Sequence, residues 1–221
     1  MIISNKNKFI FIHIHKCAGT SITNSLSLRT LSFTDKVSTW LHRNYGLTKP
    51  NHIKYEPHIT ARDLREQMGA KKFDSYFSFA ISRNPWDWQV SLYTYMRSNK
   101  EHWQHELALK FKDFDDYIRW RCDGNFQLQK EFVCSSDGEL LLNFVGKMEN
   151  LDEDFKYVCR TVGLPLIELK QDNVTNHLPY PKFYNDHTRE LVETTFAEDI
   201  EFFGYSFDSQ AVGKSLKRVE R

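Results

Sequence analysis

The sequence predicts an α/β fold in which helices flank a central sheet. Two apolar runs, residues 8–14 and 75–82, are predicted to be buried strands because β-branched and aromatic residues follow one another without polar alternation. Each run ends in a turn and is followed by a helical pattern, and strands that alternate with helices are typical of an α/β sheet. The 221 residues fit one domain, which we place at residues 1–213, and we expect the basic end, 214–221, to be a frayed tail.

Helical patterns separate and follow these strands. The first helix is predicted over about residues 21–28, directly after the turn that ends the first strand. The second begins after Thr60, whose side chain suits an N-cap, and Gly69 is expected to end it. The third is predicted over residues 86–97, and Pro85 stands near its first turn, where proline is tolerated.

The second half of the chain is predicted to contain three further helices and one hairpin. Asp186 is expected to cap the last helix, and Asp137-Gly138 is a typical hairpin signal between two apolar runs. Residues 29–57 show no pattern that assigns them to a helix or a strand. The helices are predicted over residues 101–121, 151–162 and 187–203, and the apolar runs of the hairpin are 131–134 and 140–145.

Composition and charge restrict the class of protein. A mean hydropathy of −0.58 and 27% charged residues favour a soluble protein. The longest apolar run, residues 9–12, is far shorter than the ~20 residues that span a bilayer, and polar residues follow it too soon for a signal peptide. We therefore expect no membrane span and a cytoplasmic location. Because the net charge is only +1, we expect no nucleic-acid partner.

Cysteines and histidines do not predict a metal site. The four cysteines are widely separated and no two of them form a CxxC pair, so reduced thiols are expected rather than disulfides or zinc. His13 and His15 alternate along one face of the first strand, and a metal pair is one interpretation of them. We favour a packed His13 and a His15 that supports the following loop, so no metal-ligating residue is assigned.

The turn after the first strand reads His15-Lys16-Cys17-Ala18-Gly19-Thr20-Ser21. A helix starts directly after it, and a helix N-terminus attracts anions because its N–H groups are unpaired and carry partial positive charge. Gly19 lets the backbone approach a ligand closely, and Lys16 adds a full charge. The lysine precedes the glycine by three positions, so the turn is not a Walker A loop. An anion site is predicted, and an ordinary connection with a solvated lysine is the alternative.

A second basic element follows the second strand. Arg83 stands at the strand's end, where α/β sheets place ligand sites, and its planar fork of donors suits a phosphate. Ser91 lies two turns into the next helix, on a face that can turn back toward the strand end. An ion pair with Asp87 is the alternative for Arg83. Two anion-binding elements favour a ligand with two separated phosphate-like groups, a description that fits several nucleotides.

Both segments resemble those of the sulfotransferases that use 3′-phosphoadenosine-5′-phosphosulfate (PAPS), in particular the family of the Golgi carbohydrate sulfotransferases, which has many bacterial members. Residues 15–21 are similar to the family's 5′-phosphosulfate loop, and the Arg-x-Pro at 83–85 with Ser91 is similar to its 3′-phosphate element. The similarity extends to residues 144–151 and 199–207. It implies a mainly parallel central sheet flanked by helices, a three-layer sandwich related to the P-loop nucleotide kinases.

The resemblance also implies roles for single residues. Lys16 would act in catalysis by holding the bridging oxygen of the phosphosulfate, and Arg83 and Ser91 would hold the 3′-phosphate. The product of the donor would be 3′-phosphoadenosine-5′-phosphate (PAP), and no metal would be required. The other loop residues that would contact the donor are His15, Cys17, Ala18, Gly19, Thr20 and Ser21.

The acceptor hydroxyl needs a base, and two residues are candidates. His58 lies just before the second helix, and an imidazole suits general-base catalysis near neutral pH. A histidine at the matching place is the catalytic base in carbohydrate members of the family, so the resemblance favours His58. Glu56 is the second candidate, since some sulfotransferases use a glutamate.

The sequence does not identify the acceptor, and two other functions are alternatives. We expect a hydroxyl of a carbohydrate or a small metabolite, contacted through residues 29–57 and 98–125; Trp103, Tyr117 and Trp120 are candidates for stacking on a sugar, although such aromatics more often form a core. One alternative function is a nucleotide or small-molecule kinase on a related fold. The other is a catalytically silent nucleotide-binding relative. The sequence predicts no oligomeric state.

Overall fold

The computed structural model describes residues 1–30, 33–45, 55–124, 126–169, 178–208 and 215–218. Within these residues, no helix is both long and apolar enough to cross a membrane. Short 3₁₀ helices lie at Met148–Asn150 and Tyr180–Phe183. The strands and α-helices follow in the order β1 (Ile2–Ser4), β2 (Phe9–Phe11), α1 (Gly19–Thr30), α2 (Phe33–Tyr45), α3 (Ala61–Met68), α4 (Ala70–Asp74), β3 (Phe77–Ser82), α5 (Pro85–Ser98), α6 (His105–Ala108), α7 (Phe114–Asp123), α8 (Gln129–Val133), β4 (Phe144–Lys147), α9 (Leu151–Thr161), α10 (Asp186–Thr195), α11 (Ala197–Phe203) and β5 (Leu216–Lys217).

The chain divides into two compact units. The first contains residues 1–82, 131–172 and 215–221, and the second contains residues 83–130 and 173–214. The boundary at Ser82 coincides with the last residue of β3. The expectation of one domain over residues 1–213 stays a prediction.

The first unit is built on a sheet in the order β1-β2-β3-β4-β5. The three central strands, β2, β3 and β4, run parallel, whereas β1 and β5 pair antiparallel with their neighbours. The central strands are buried almost throughout, which explains why their sequences are continuous apolar runs. The predicted α/β class, a central sheet with helices around it, is confirmed.

The register of the parallel strands determines what lies at their carboxyl ends. Phe11, Phe79 and Phe144 share one row across the sheet, and the rings of Phe11 and Phe79 are 5.0 Å apart. The same register places Lys147 beside Ser82 at the end of β3. Since the carboxyl ends of parallel strands meet at one edge, the segment after β2 leaves the sheet at this edge too.

The second unit is helical and packs around large aromatic side chains. Trp86, Trp88 and Tyr117 are at most 2% exposed, and Trp88 contacts Phe196 edge to face at 6.0 Å between ring centroids. The Tyr117 hydroxyl donates to Gln89 Oε1 over 3.1 Å, which satisfies a polar group inside this core. Tyr117 is therefore a core residue and is too deeply buried to stack on a sugar.

The predicted caps at both ends of α3 and the predicted proline at the start of α5 are confirmed. Thr60 caps α3 by accepting a hydrogen bond from the Asp63 backbone, Gly69 ends α3 with φ 89°, and Pro85 is the first residue of α5. The first helix begins two residues earlier than predicted, at Gly19. The backbone amides of Gly19, Thr20 and Ser21 thus belong to the first turn of the helix.

Two long helices predicted in the second unit are each divided. Residues 101–121 contain α6 and α7, because the Asp113 side chain caps a new helix by accepting from the Asp116 backbone. Residues 187–203 divide at Phe196 into α10 and α11. The cap of α10 is Asn185, which forms a capping box with Thr188, so the prediction of Asp186 as the cap was wrong.

The predicted hairpin and the predicted tail also differ from the structure. Residues 131–133 belong to α8, and the turn at Gly138 is closed by a single bridge between Cys134 and Leu140. Within the expected tail, Leu216 pairs with Val145, so residues 216–217 form strand β5 at the edge of the sheet. The expectation of fraying was wrong for these two residues because a neighbouring strand satisfies their backbone.

The segment that showed no pattern in the sequence contains helix α2. It begins at Phe33 and ends at Tyr45, and Phe33 and Trp40 are 80% and 54% exposed. Of the rest of segment 29–57, residues 31–32 and 46–54 lie outside the described residues, and residues 29–30 end α1.

Candidate active site

The segment after β2 forms a tight turn that delivers backbone amides to one place. Lys16 and Ala18 adopt left-handed conformations, with φ 58° and 56°, which non-glycine residues rarely do. The Ile22 amide donates to the Ala18 carbonyl over 3.0 Å, so the helical hydrogen bonding of α1 begins there. Residues in alternating conformations next to a helix start turn successive N–H groups into an anion-binding concavity. The predicted loop residues, 15–21, lie together in this turn.

Glycine at position 19 is required by the ring of His13. A Cβ atom built on Gly19 would lie 1.7 Å from His13 Nε2, far inside van der Waals contact. The His13 imidazole therefore packs directly against the backbone of the turn. A larger side chain at position 19 would displace either the ring or the start of α1.

The candidate base His58 is attached to the same turn by a hydrogen bond. His58 Nδ1 lies 2.9 Å from the backbone oxygen of His13. A carbonyl oxygen can only accept, so Nδ1 carries the proton and Nε2 of the neutral ring keeps its lone pair. A general base needs this form, because the unprotonated nitrogen must receive the proton of the acceptor hydroxyl.

Three imidazoles lie in contact beside the turn. The His58 ring stacks on His15, at 3.6 Å between centroids and an angle of 26°, and contacts His13 in a tilted arrangement, at 4.4 Å and 50°. Phe132 contacts the outer side of His15 edge to face. The stack holds the His58 ring in one orientation relative to the phosphate-type turn, as a base that acts on a fixed substrate requires.

Burial keeps the inner histidines neutral. It lowers the pKa of His13 from 6.5 to about 2, with the nearby His58 ring as the next cause. Burial also lowers the pKa of His58, against the hydrogen bond to the His13 carbonyl, which raises it. Both rings are therefore uncharged at neutral pH. Among the described residues, no group of three or more His, Cys, Asp or Glu side chains is arranged to hold a metal ion.

The second candidate base, Glu56, lies two residues from His58 on the protein surface. Its side chain is exposed, and its backbone oxygen accepts a hydrogen bond from the Ile59 amide over 3.2 Å. Ile59 is buried and connects this turn to α3. The turn therefore holds the backbone around His58 in place, whereas the Glu56 carboxylate lies on an exposed side chain. His58 remains our first choice for the base.

In the second unit, Arg83 lies just before α5, and Ser91 lies within it. Arg83 Nε donates to Asp87 Oδ2 over 2.8 Å, one helical turn away, so the ion pair considered as an alternative does occur. This bond uses one of the five N–H donors of the guanidinium, and it fixes the plane of the group. Ser91 is 1% exposed and lies two turns along the same helix.

The backbone of Arg83 is held by a side chain that the sequence did not single out. Gln129 Oε1 accepts from the Arg83 amide over 2.9 Å, and Gln129 Nε2 donates to the Arg83 carbonyl over 2.8 Å. Gln129 is wholly buried. Its role depends on a partner 46 positions away, so no local pattern in the sequence indicates it.

A buried lysine also lies at the carboxyl edge of the sheet. Lys147, the last residue of β4, is 1% exposed, and burial lowers the pKa of its ammonium group while Glu149 and Asp154 raise it. Its backbone amide donates to Asp154 Oδ2 over 2.7 Å. The sequence placed Lys147 within a segment of family resemblance but gave it no role.

The two remaining aromatic candidates for stacking on a sugar differ in exposure. Trp103 is 84% exposed and lies beside the His102 ring. Trp120 packs against Phe111, with 5.2 Å between ring centroids. Of the three aromatic residues considered in the sequence, Trp103 presents the largest surface to solvent.

Comparisons with known proteins identify the family and the fold. The family model described as "Sulfotransferase family" matches residues 1–206. An uncharacterized protein of Archaeoglobus fulgidus is 32% identical over 103 residues, which cover 46% of this chain and 80% of that protein. Among solved structures, the mouse sulfotransferase SULT7A1 complexed with PAP superposes with a TM-score of 0.53 over 89% of this chain and 86% of that chain. Since the identity to the mouse enzyme is 12%, this similarity concerns the fold.

Proposed function

Because the chain belongs to the sulfotransferase family, we propose that it transfers the sulfuryl group of PAPS to a hydroxyl group of an acceptor. The observation that carries the chemical part of the proposal is the bond from His58 Nδ1 to the His13 carbonyl. It presents an unprotonated imidazole nitrogen beside a turn built to bind an anion. A base next to an anion-binding turn is what sulfuryl transfer to a hydroxyl needs.

In this proposal, the donor is bound through its charged groups. The amides at the start of α1 and the hydroxyls of Thr20 and Ser21 hold the 5′-phosphosulfate, and Lys16 stabilises the negative charge on the bridging oxygen. Arg83 and Ser91 hold the 3′-phosphate. The family resemblance of both segments supports this assignment of residues, and the mouse enzyme's complex with PAP supports the class of donor.

The reaction then proceeds by in-line displacement. The acceptor oxygen attacks sulfur and forms a new S–O bond, while the bond from sulfur to the bridging oxygen breaks and PAP leaves. The acceptor's proton passes to Nε2 of His58. The charge that develops on the leaving phosphate oxygen is met by Lys16 and the turn amides, so no step requires a metal ion.

The acceptor class is proposed from the family resemblance and not from a defined pocket. We propose a hydroxyl of a carbohydrate or a small metabolite, since the sequence resembles the carbohydrate sulfotransferases and a neutral histidine can accept the proton of an alcohol as the new bond forms. The exposed Trp103 offers an apolar face of the kind on which sugar rings stack.

Transfer of labelled sulfur tests the proposed reaction. The protein is incubated with sulfur-labelled PAPS and separate pools of sugars and small hydroxyl compounds, and each pool is analysed for labelled product. Label is expected in at least one pool with wild-type protein and in none with Lys16→Met. Transfer of phosphate from ATP in the presence of Mg²⁺, without any sulfuryl transfer, would support the kinase alternative instead.

A further inference from the structure

The backbone of Arg83 stands at the point where the chain leaves the sheet. Arg83 directly follows the last residue of β3, and α5 begins two residues later. Its amide and carbonyl are buried in a place where regular sheet or helix partners end, and buried backbone groups that lack a partner cost free energy. The Gln129 side chain supplies one acceptor and one donor, at 2.9 and 2.8 Å, as a neighbouring strand would.

Gln129 is itself fixed by a buried carboxylate. Asp199 is wholly buried, and its two oxygens accept hydrogen bonds from the backbone amides of Gln129 and Lys130, at 2.9 and 2.8 Å. Bonds from amides to a carboxylate are charge-assisted and therefore stronger than those between neutral groups. Asp199 thus fixes the backbone position from which the Gln129 side chain extends.

We propose that Gln129 and Asp199 are positioning residues that place Arg83 for the 3′-phosphate of the donor. The proposal rests on the function proposed above and adds how Arg83 is kept in place. The side chain of Arg83 is oriented by Asp87, and its backbone is oriented by Gln129. Two points of attachment leave the guanidinium little freedom, so less entropy is lost when a phosphate binds.

The residue types are specific for this task. Asparagine is one methylene shorter than glutamine, and glutamate cannot donate to the Arg83 carbonyl. Asparagine at position 199 would turn an N–H₂ donor toward one of the two amides that now donate to Asp199. Each of these replacements leaves a buried backbone group without its partner.

Comparison of PAP with AMP isolates the contacts to the 3′-phosphate, because AMP lacks this group. In Gln129→Met, which keeps the length of the side chain but removes both bonds, the Kd for PAP is expected to rise about tenfold. The Kd for AMP is expected to stay within about twofold. Asp199→Asn is likewise expected to raise the Kd for PAP and to leave the Kd for AMP within about twofold, and it serves if Gln129→Met does not fold.

The matched control removes a contact between helices α8 and α11. It leaves intact the hydrogen bonds of Gln129 and Asp199 that hold the Arg83 backbone, which we call the clamp. Glu198→Gln removes the exposed ion pair between Lys130 and Glu198, whose atoms lie 3.0 Å apart. Its Kd for PAP is expected to equal that of the wild type. Equal weakening of PAP and AMP in Gln129→Met would indicate a general loss of structure and would overturn the positioning role.

Hydrogen exchange of the Arg83 amide separates this inference from the proposed function. In the ligand-free protein, the Arg83 amide is expected to exchange faster in Gln129→Met than in wild type. This result does not depend on which nucleotide the protein binds. Wild-type protein that shows no preference for PAP over AMP would contradict the proposed function. A clear wild-type preference that Gln129→Met retains, together with an unchanged Arg83 amide, would contradict the clamp.

Discussion

At the scale of single residues, the bond from His58 Nδ1 to the His13 carbonyl determines what His58 can do. It fixes the tautomer of a ring whose orientation is also held by stacking on His15 and by a tilted contact with His13. Removal of such a base costs catalysis and leaves the charged contacts of the donor in place. His58 and Lys16 therefore have separable roles in the proposed reaction.

Alanine at position 58 tests the role of the base. His58→Ala is expected to lower kcat by about two to four orders of magnitude, since general-base catalysis contributes that much. The Kd for PAP should stay within about twofold of wild type. His187→Ala, at an exposed histidine, is the control and should retain full turnover. A His58→Ala variant with wild-type kcat would remove His58 from the mechanism.

The pH profile follows from the direction of the His58 pKa. The base acts when neutral, and burial lowers its pKa below the ordinary value of 6.5. Activity is therefore expected to be constant as the pH falls toward 6.5 and to decrease only below it. Measurement of kcat from acid to neutral pH tests this expectation. A decrease in kcat whose midpoint lies above pH 6.5 would contradict it.

Alanine at position 19 tests the contact between the turn and His13. Gly19→Ala is expected to destabilise the protein by about 1–3 kcal/mol, because the new methyl group overlaps the His13 ring. It should also weaken PAP binding. The double variant with His13→Ala should recover part of the stability, and Gly124→Ala, where the nearest atom lies 3.2 Å from the built Cβ, is the milder control. Urea unfolding measures all of them.

At the scale of elements, the edge strand β5 is attached through Ser215. Its hydroxyl lies 2.8 and 2.7 Å from the two oxygens of Asp154, a residue that is 6% exposed and also accepts from the Lys147 amide. The short pairing of Leu216 with Val145 continues from this contact. The bond to a buried carboxylate therefore anchors an element that is too short to be stable by itself.

Loss of this anchor is expected to lower stability. Ser215→Ala should reduce the free energy of unfolding by about 1–3 kcal/mol, since Asp154 loses a hydrogen-bond donor. Ser98→Ala, whose exposed hydroxyl bonds within its own helix over 3.3 Å, is the control and should change little. Denaturant midpoints compare the two variants; equal midpoints would show that the bond from Ser215 to Asp154 adds nothing to stability.

The elements differ in how far the sequence could predict them. Strands β2 and β3, the Thr60 cap and, to within two residues, the start of α1 follow from local patterns, because burial and capping act over a few residues. Strand β5 depends on a partner about 70 residues earlier in the chain, so its sequence alone indicates only a basic end. The division of residues 101–121 follows from the side-chain cap at Asp113, a local signal that the prediction of one continuous helix omitted.

At the scale of the whole molecule, the match to the sulfotransferase family over residues 1–206 and the α/β fold agree with the function expected from two short segments. The sequence could indicate Lys16 and Arg83, because charged residues after buried strands are a local signal. It could not indicate the Gln129 clamp or the tautomer of His58, since both depend on hydrogen bonds between distant residues.

Binding of PAP compared with ATP tests the central claim most directly, because it requires no knowledge of the acceptor. Wild-type protein is titrated calorimetrically with PAP, and with ATP in the presence and absence of Mg²⁺. The account predicts that PAP binds about tenfold more tightly than ATP or better, and that Lys16→Ala and Arg83→Ala each weaken it. Tighter binding of ATP that depends on Mg²⁺, or no binding of either nucleotide, would contradict it.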